Sequence, residues 1–192
     1  MHTLNFNKDE FKFLSDPDIL KQKRIIQDKI FNLLEEVKTR LSIDLEPQIL
    51  NKFPTGRISR GENYKGLPYH VLDYPALFNN KDILACRTMF LWGNFFSTTI
   101  HLQGQYLHSN KDILGQLGDS MKTANLFVSC GNTPWEYSYN KDNYKQFTST
   151  SIEAALSKNF VKISQKIELE SYAEIPQLAS EFYSPILDQL KF

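Results

Sequence analysis

The segment GRISRGENYKG, residues 56–66, combines charged side chains with three glycines and is the first candidate for chemistry. Arg57, Arg60 and Lys65 lie among flexible glycines whose backbone N–H groups can join them around a carboxylate or phosphate. We therefore predict a glycine-rich loop that binds a small anionic group, with Tyr64 as a further contact. The alternative is that the glycines serve tight turns and the charges are solvated.

A nucleotide-binding P-loop is excluded for the same segment. A P-loop requires lysine and then serine or threonine directly after its second glycine, since the lysine neutralises phosphate and the hydroxyl holds magnesium. Glutamate and asparagine occupy these two positions here. The carboxylate of a glutamate would repel the phosphates.

A second candidate lies in the segment CRTMFLWGNFFSTTIHL, residues 86–102. Gly93 and Asn94 between two aromatic-rich runs predict a β-hairpin with a two-residue turn, because glycine readily supplies the positive φ that such a turn needs. That turn determines which residues face each other. It predicts that Trp92 lies opposite Phe95, Phe90 opposite Ser97, Thr88 opposite Thr99 and Cys86 opposite His101.

In this register one hairpin face mixes large aromatic rings with small polar groups. Such a face is typical of a pocket lining, to which Trp92 and His101 would contribute. It is equally typical of a core under a helix or of a dimer interface. Arg87 falls on the opposite, apolar face, where it requires a ligand or an acid such as Asp73 or Asp82.

The predicted pairing of Cys86 with His101 suggests a different chemistry. Cross-strand neighbours have Cβ atoms about 4.5–5.5 Å apart, close enough for an imidazole to activate a thiol. A thiol-dependent hydrolase or transferase is therefore one hypothesis. A one-residue shift of the turn would separate the two side chains, and free cysteines are commonly small buried apolar residues.

Composition and charge exclude several partners. The 22 basic and 22 acidic residues balance, so no long-range field attracts nucleic acid, and we predict no nucleic-acid partner. The longest apolar stretch, residues 88–100, is too short to span a bilayer. No signal peptide is recognised, and two cysteines without paired spacing indicate neither a disulfide framework nor a metal site. We predict a cytoplasmic protein without membrane, metal or cofactor.

The elements that must position these residues are predicted from hydrophobic spacing. Residues 15–41 form a long helix, capped by Asp16 and begun by Pro17, with an apolar stripe along one side. Extended segments are predicted at 67–74, 125–130, 135–139 and 160–170, besides the hairpin. In the last of these, Lys162 and Ser164 are placed on a solvated face. A C-terminal helix closes the chain.

Together these patterns predict a single α+β domain over residues 1–192. Its mostly antiparallel sheet has five or six strands, with the long N-terminal helix and the C-terminal helix packed on one face. Three functions stay open. The first is binding of a small anionic molecule between the aromatic hairpin face and the Gly/Arg-rich loop; the second is self-association as a homodimer without catalysis; the third is thiol chemistry. The ligand-site residues predicted are Arg57, Arg60, Tyr64, Lys65, Arg87, Trp92 and His101.

Overall fold

A computed structural model describes residues 5–53, 55–120 and 125–192 of the chain. Within these residues, seven antiparallel strands form one sheet, in the spatial order β1-β2-β3-β4-β7-β5-β6. The strands are β1 (Thr55–Tyr64), β2 (Leu67–Phe78), β3 (Ile83–Leu91), β4 (Phe95–Gln103), β5 (Leu126–Ser129), β6 (Tyr144–Gln146) and β7 (Phe160–Ile167).

The helices precede, interrupt and follow the strands. As predicted, the long helix α2 begins at Pro17, and the side chain of Asp16 accepts hydrogen bonds from the first free backbone N–H groups. The helices are α1 (Lys8–Ser15), α2 (Pro17–Asp44), α3 (Pro47–Lys52), α4 (Gln105–His108), α5 (Lys111–Ser120), α6 (Ser149–Leu156) and α7 (Ile175–Leu187), with a 3₁₀ helix at Leu169–Glu174.

One face of the sheet, here called the helix face, packs against α2 and α7. Leu34, Val37 and Leu41 of α2 and Tyr183 of α7 are fully buried there in one apolar cluster with side chains from β2, β3, β4 and β7. Burying a large apolar side chain contributes about 1.5–3 kcal/mol. The α+β class and the packing of both helices on one face are therefore as the sequence predicts.

The Gly/Arg-rich segment is a strand and not the predicted loop. Thr55–Tyr64 form β1, which pairs with β2. Lys65 and Gly66 make the two-residue connection, with φ values of 53° and 84°, and glycine tolerates such values because it lacks Cβ. Gly61 has a steric role, because a Cβ there would lie 2.4 Å from the ring of Tyr69.

The sheet therefore has seven strands where five or six are predicted. A strand takes the place of the expected loop at β1, and residues 144–146 add the short edge strand β6. Residues 135–139, predicted as a strand, form neither a strand nor a helix. These differences follow from tertiary pairing, because an edge strand forms only where a neighbour offers free backbone groups.

The β3–β4 hairpin reverses one residue away from the predicted position. Leu91 pairs with Phe95, so the turn holds three residues and not two. Gly93 in its centre has a φ of 69°, and the N–H of Asn94 donates to the carbonyl of Leu91 at 3.1 Å. Glycine supplies the positive φ as expected, but at a different place in the turn.

Hydrophobic matching across the hairpin explains the offset. Shifting a pairing register by one residue changes the face on which side chains meet their partners. In the observed register, apolar residues of both strands meet on the helix face, whereas the predicted one sets them against polar residues. The pairs on the helix face are Leu84 with Leu102, Cys86 with Ile100, Thr88 with Thr98 and Phe90 with Phe96.

The other face of the sheet is covered by residues 130–143, a segment without helix or strand that we call the strap. Its aromatic side chains pack on the sheet. The ring of Tyr139 makes an edge contact with Phe95 at 5.0 Å, and that of Tyr137 with Tyr64 at 5.2 Å. We call this side of the sheet the strap face.

Candidate functional site

The seven predicted ligand residues divide between the two faces of the sheet. Arg60 aligns with His70 on the helix face, where the ring of Trp92 also packs. Arg57 aligns with Asp73 and therefore shares the strap face, because side chains alternate along a strand. The strap face also holds Tyr64, Lys65, Arg87 and His101.

On the helix face, a groove of about 420 Å³ lies between the N-terminal half of α2 and the β1–β2 hairpin. Positions three and four apart on a helix share one flank, so one side of α2 forms a continuous wall. That wall consists of Arg24, Gln27, Asp28 and Phe31, and the strands contribute Ile58, Ser59, Arg60 and His70.

Arg60 is the principal charge of this groove. Its side chain is exposed, and it forms no ion pair with any residue that the structure describes. Arg24 on the opposite wall has its Nε 3.3 Å from Oδ1 of Asp28, but both side chains are more than half exposed, so this pair is weak. The groove therefore carries one net positive charge, with a second arginine available.

His70 at the sheet side of the groove is an unsatisfied polar group. The residue is only 4% exposed, and its Nδ1 has no hydrogen-bond partner. Its ring lies 6.3 Å from that of Phe90 and 6.4 Å from that of Trp92. Burial, and then the nearby charge of Arg60, lower the pKa of His70, so the imidazole is neutral at pH 7. It can donate or accept one hydrogen bond.

Trp92 lies beside a second, apolar groove of about 530 Å³ and not in the first one. That groove lies between α1, the start of α2 and the tips of both hairpins. Phe13, Ile19 and Ile26 line its helical side, and Leu67 lines the other. Its walls provide no charge for an anion except Lys23 at the edge.

On the strap face, Arg87 forms an ion pair with Asp73, as the structural alternative for Arg87 predicts. Its Nε donates to Oδ1 at 2.7 Å and its Nη2 to Oδ2 at 2.9 Å, and Nη1 donates to the hydroxyl of Tyr137 at 2.5 Å. The side chains are 16% and 17% exposed. Asp73 outweighs the effect of burial and raises the pKa of Arg87. All of its guanidinium nitrogens are engaged.

Lys162 is a functional candidate that the sequence prediction missed. Alternation along β7 predicts a solvated position for Lys162, but the residue is only 2% exposed, because the strap covers it. Its Nζ donates to the carbonyl oxygen of Glu136 at 2.5 Å and lies 5.4 Å and 4.9 Å from the ring centres of Tyr137 and Tyr144. Burial, and then the charge of Arg87, lower the pKa of Lys162 to about 7.

His101 lies near this lysine and is also unsatisfied. The residue is 5% exposed, its Nε2 has no hydrogen-bond partner, and its ring makes edge contacts with Trp135 and Phe160. Burial, and then the charges of Lys162 and Arg87, lower the pKa of His101 to about 3. The imidazole is therefore neutral throughout the physiological range.

Tyr64 and Lys65 fasten the strap to the β1–β2 turn. The Tyr64 hydroxyl donates to the carboxylate of Glu136, and the Nζ of Lys65 lies 2.9 Å from Oε2 of the same side chain. Burial opposes ionisation of Glu136, but hydrogen bonds from Tyr64 and Ser138 outweigh it and lower the pKa to about 2. Tyr64 and Lys65, both predicted to contact a ligand, therefore bind the carboxylate of Glu136 in this structure.

The predicted pairing of Cys86 with His101 is wrong. Cys86 pairs with Ile100 and points to the helix face, whereas His101 pairs with Ala85 and points to the strap face. Burial also raises the pKa of the Cys86 thiol well above its usual range. Because a thiolate is the nucleophilic form, this thiol cannot be activated by that imidazole.

Two further properties belong to residues 5–53, 55–120 and 125–192. No helix among them is long and apolar enough to cross a membrane. No group of three or more histidine, cysteine or acidic side chains among them could hold a metal ion. Comparison of the chain with protein-family models, with curated proteins and with solved structures gave no match. The geometry of the two faces is therefore the basis for any functional inference.

Proposed function

We propose that this protein binds a small molecule with an anionic group and an apolar body in the groove between α2 and β1. The supporting observation is the exposed, unpaired cation of Arg60 beside the buried, unsatisfied Nδ1 of His70. Binding sites are typically concave and largely apolar, with a few convergent polar groups. A volume of about 420 Å³ suits a ligand of modest size.

Each part of the groove has a distinct role in this proposal. The guanidinium of Arg60 pairs with the anionic group, and Arg24 on the opposite wall supplies a second set of donors. His70 offers one hydrogen bond to a polar atom of the ligand. Phe31 and Ile58 contact the apolar body. Carboxylates and phosphate monoesters with an aliphatic or aromatic group combine these features.

The test uses two arginines on one strand. Wild type, Arg60→Ala and Arg57→Ala are screened by thermal shift against aromatic carboxylates, aliphatic carboxylates and phosphate monoesters, and hits are measured by calorimetry. Arg57 is the matched control, because it is also exposed on β1 but lies on the opposite face. We expect Arg60→Ala to weaken a hit at least tenfold and Arg57→Ala to leave it unchanged.

Two results would contradict the proposal. One is that no compound stabilises the wild type. The other is that both arginine variants bind a hit as tightly as the wild type does. Equal weakening by both variants would also count against the groove, because it would indicate a general charge effect and not contact with Arg60.

A second candidate function, self-association, is favoured by a different observation. The N-terminal arm, residues 6–31, exposes large apolar side chains, and α1 buries none of its residues. A helix of eight residues is not stable alone in water. The exposed residues are Phe6, Phe11, Phe13, Leu14, Ile19, Leu20, Ile25 and Phe31, which are between 38% and 66% exposed.

The size of this surface fits a second copy of the chain. With on the order of 100 Å² exposed per side chain, the arm offers on the order of 800 Å² of apolar area. That equals the area that each partner buries in an interface of standard size, about 800 Å². Identical arms can also meet across a two-fold axis.

Light scattering over a range of concentrations tests this second function. We expect a dimer that dissociates in the double variant Phe11→Ser, Phe13→Ser. Ile43→Ser is the control, because Ile43 is 74% exposed at the far end of α2 and should not affect association. A wild-type chain that stays monomeric at the highest concentration would contradict self-association.

A further inference from the structure

Lys162 is a buried ammonium group without an acidic partner among the described residues. Asp73, the acid on the neighbouring strands, is engaged on both oxygens by Arg87. The carboxylate of Glu136 is held by Tyr64 and Lys65, and only its backbone carbonyl accepts a hydrogen bond from Lys162. A buried charge without a counter-charge is costly, so its retention calls for an explanation.

Two further hydrogen-bonding groups lie beside this lysine. The Nε2 of His101 is buried and unsatisfied. The hydroxyl of Tyr137 accepts a hydrogen bond from Arg87, so its own proton remains free to be donated. Burial raises the pKa of Tyr137, which keeps that proton in place. Three donors thus lie on the strap face: His101 pairs with Lys162 across β4 and β7, and the ring of Tyr137 packs on the ammonium.

We propose that Lys162, His101 and Tyr137 form a second binding site, for a small carboxylate or inorganic oxyanion, beneath the strap. This site is independent of the groove at Arg60, because it lies on the opposite face of the sheet. An anion supplies the missing counter-charge of Lys162 and a partner for Nε2 of His101. The neutral imidazole donates from Nε2 in one of its two tautomers.

The surrounding charges favour an anion over a cation or a neutral ligand. Arg87 on β3 is paired with Asp73 on β2, so together they add little net charge. The rings of Tyr137 and Tyr144 pack around the ammonium. Glu136 is the remaining acid near Lys162, and its carboxylate is neutralised by Lys65 at the edge of the strap. The net charge around Nζ is therefore positive whenever Lys162 is protonated.

Entry requires movement of the strap around Trp135. This residue is 51% exposed, and its ring covers both His101 and Arg87. No helix or strand ladder holds residues 130–143, so lifting them breaks fewer backbone hydrogen bonds than lifting a strand would. The tight packing below the strap limits the ligand to a few heavy atoms.

Formate is a suitable probe, titrated at constant ionic strength against the bulky anion of HEPES. The pKa of Lys162 is followed by NMR of ¹³C-labelled lysine, with its signal assigned by its loss in Lys162→Met. We expect saturating formate to raise that pKa by at least one pH unit. Formate affinity should then fall about tenfold per pH unit above pH 7, since only the ammonium form binds strongly.

Two variants separate this site from other effects. Lys166→Met is the matched control, because Lys166 lies four residues further along β7 on the same face, paired with Glu168 at 2.7 Å. It should respond to formate as the wild type does, and so should Arg60→Ala, since the groove is not involved. A pKa of Lys162 that formate leaves unchanged in the wild type would overturn the proposal, even if Lys162→Met failed to fold. The proposal would also be overturned if formate stabilised a folded Lys162→Met variant as much as it stabilises the wild type.

Discussion

The two faces of the sheet differ in what covers them. The helix face meets α2 and α7, and its central side chains are apolar. The strap face carries buried charges and meets an irregular segment. The same strands supply both faces, because successive side chains point in opposite directions. The apolar core therefore lies on one face of the sheet, and the buried charged side chains lie on the other.

A segment without secondary structure is well suited to cover the buried charges. A helix uses its backbone carbonyl groups internally, so it offers few acceptors to a buried cation. The strap leaves its carbonyl groups free: that of Glu136 accepts from Lys162 and that of Gly131 from Lys158, at 2.5 Å and 3.0 Å. Carbonyl groups of the strap therefore accept hydrogen bonds from these lysines, although they supply no counter-charge.

The largest loss of stability should come from a cavity-creating substitution in the core on the helix face. Leu84→Ala removes a fully buried side chain, and we expect a loss of about 3–4 kcal/mol in the free energy of unfolding. Urea denaturation measures it. Leu67→Ala, at a position that is 38% exposed, should cost far less. Equal losses at the two positions would contradict the assignment of the core to this face.

The next effect concerns the ion pair on the strap face. Asp73→Asn leaves the guanidinium of Arg87 without its counter-charge, and we expect a loss of about 2–3 kcal/mol, reduced from a fully buried pair by partial exposure. Glu168→Gln, which breaks an exposed pair with Lys166, should cost less than about 1 kcal/mol. Similar values for both variants in urea denaturation would indicate that the Asp73–Arg87 pair is solvated.

A smaller change in the free energy of unfolding should come from the titration of Lys162 with pH. The pKa of Lys162 is about 7 when folded, below its ordinary value of 10.5, so between these values the unfolded chain binds a proton that the folded chain does not. Stability should therefore rise with pH across this window, by about 2 kcal/mol from pH 7 to pH 9 relative to Lys162→Met. Parallel stability curves for the two proteins would show that Lys162 titrates normally.

The smallest loss of stability should come from removing the hydrogen bonds that Tyr64 forms with the strap. Tyr64→Phe removes the hydroxyl that donates to Glu136 and accepts from the backbone N–H groups of Tyr137 and Ser138. We expect a loss of about 1 kcal/mol. Amide exchange at the two N–H groups should quicken, while Tyr69→Phe should leave it unchanged. Unaltered exchange in Tyr64→Phe would mean that packing alone holds the strap.

Much of the fold could be predicted from local patterns. The start of α2 follows from Asp16 and Pro17, whose capping chemistry is complete within a few residues. The existence of the β3–β4 hairpin follows from Gly93 between two aromatic-rich runs. The register of this hairpin could not be predicted from local patterns. The observed register is favoured because its apolar cross-strand pairs pack against α2 and α7, which are distant in the sequence.

The candidate sites were less accessible to sequence reasoning. The charge of Arg60 identifies it as a candidate, but the glycines obscure side-chain alternation along β1, so the sequence does not predict its separation from Arg57. Alternation along β7 places Lys162 on a second face without showing what covers that face, so the sequence predicts a solvated lysine. The spacing of Trp135, Tyr137 and Tyr139 was the one local signal that an aromatic segment would pack there.

Local sequence patterns are sufficient to predict the α+β class, the long helix, the hairpin and the side-chain alternation that gives the sheet two different faces. These features depend on backbone geometry and on contacts between near neighbours. The face that the helices cover, the position of the strap and the burial of particular charges depend instead on tertiary contacts. Burial and pKa depend on residues far apart in the chain, such as Glu136 over Lys162 and Asp73 beside Arg87, whose meeting no local pattern encodes.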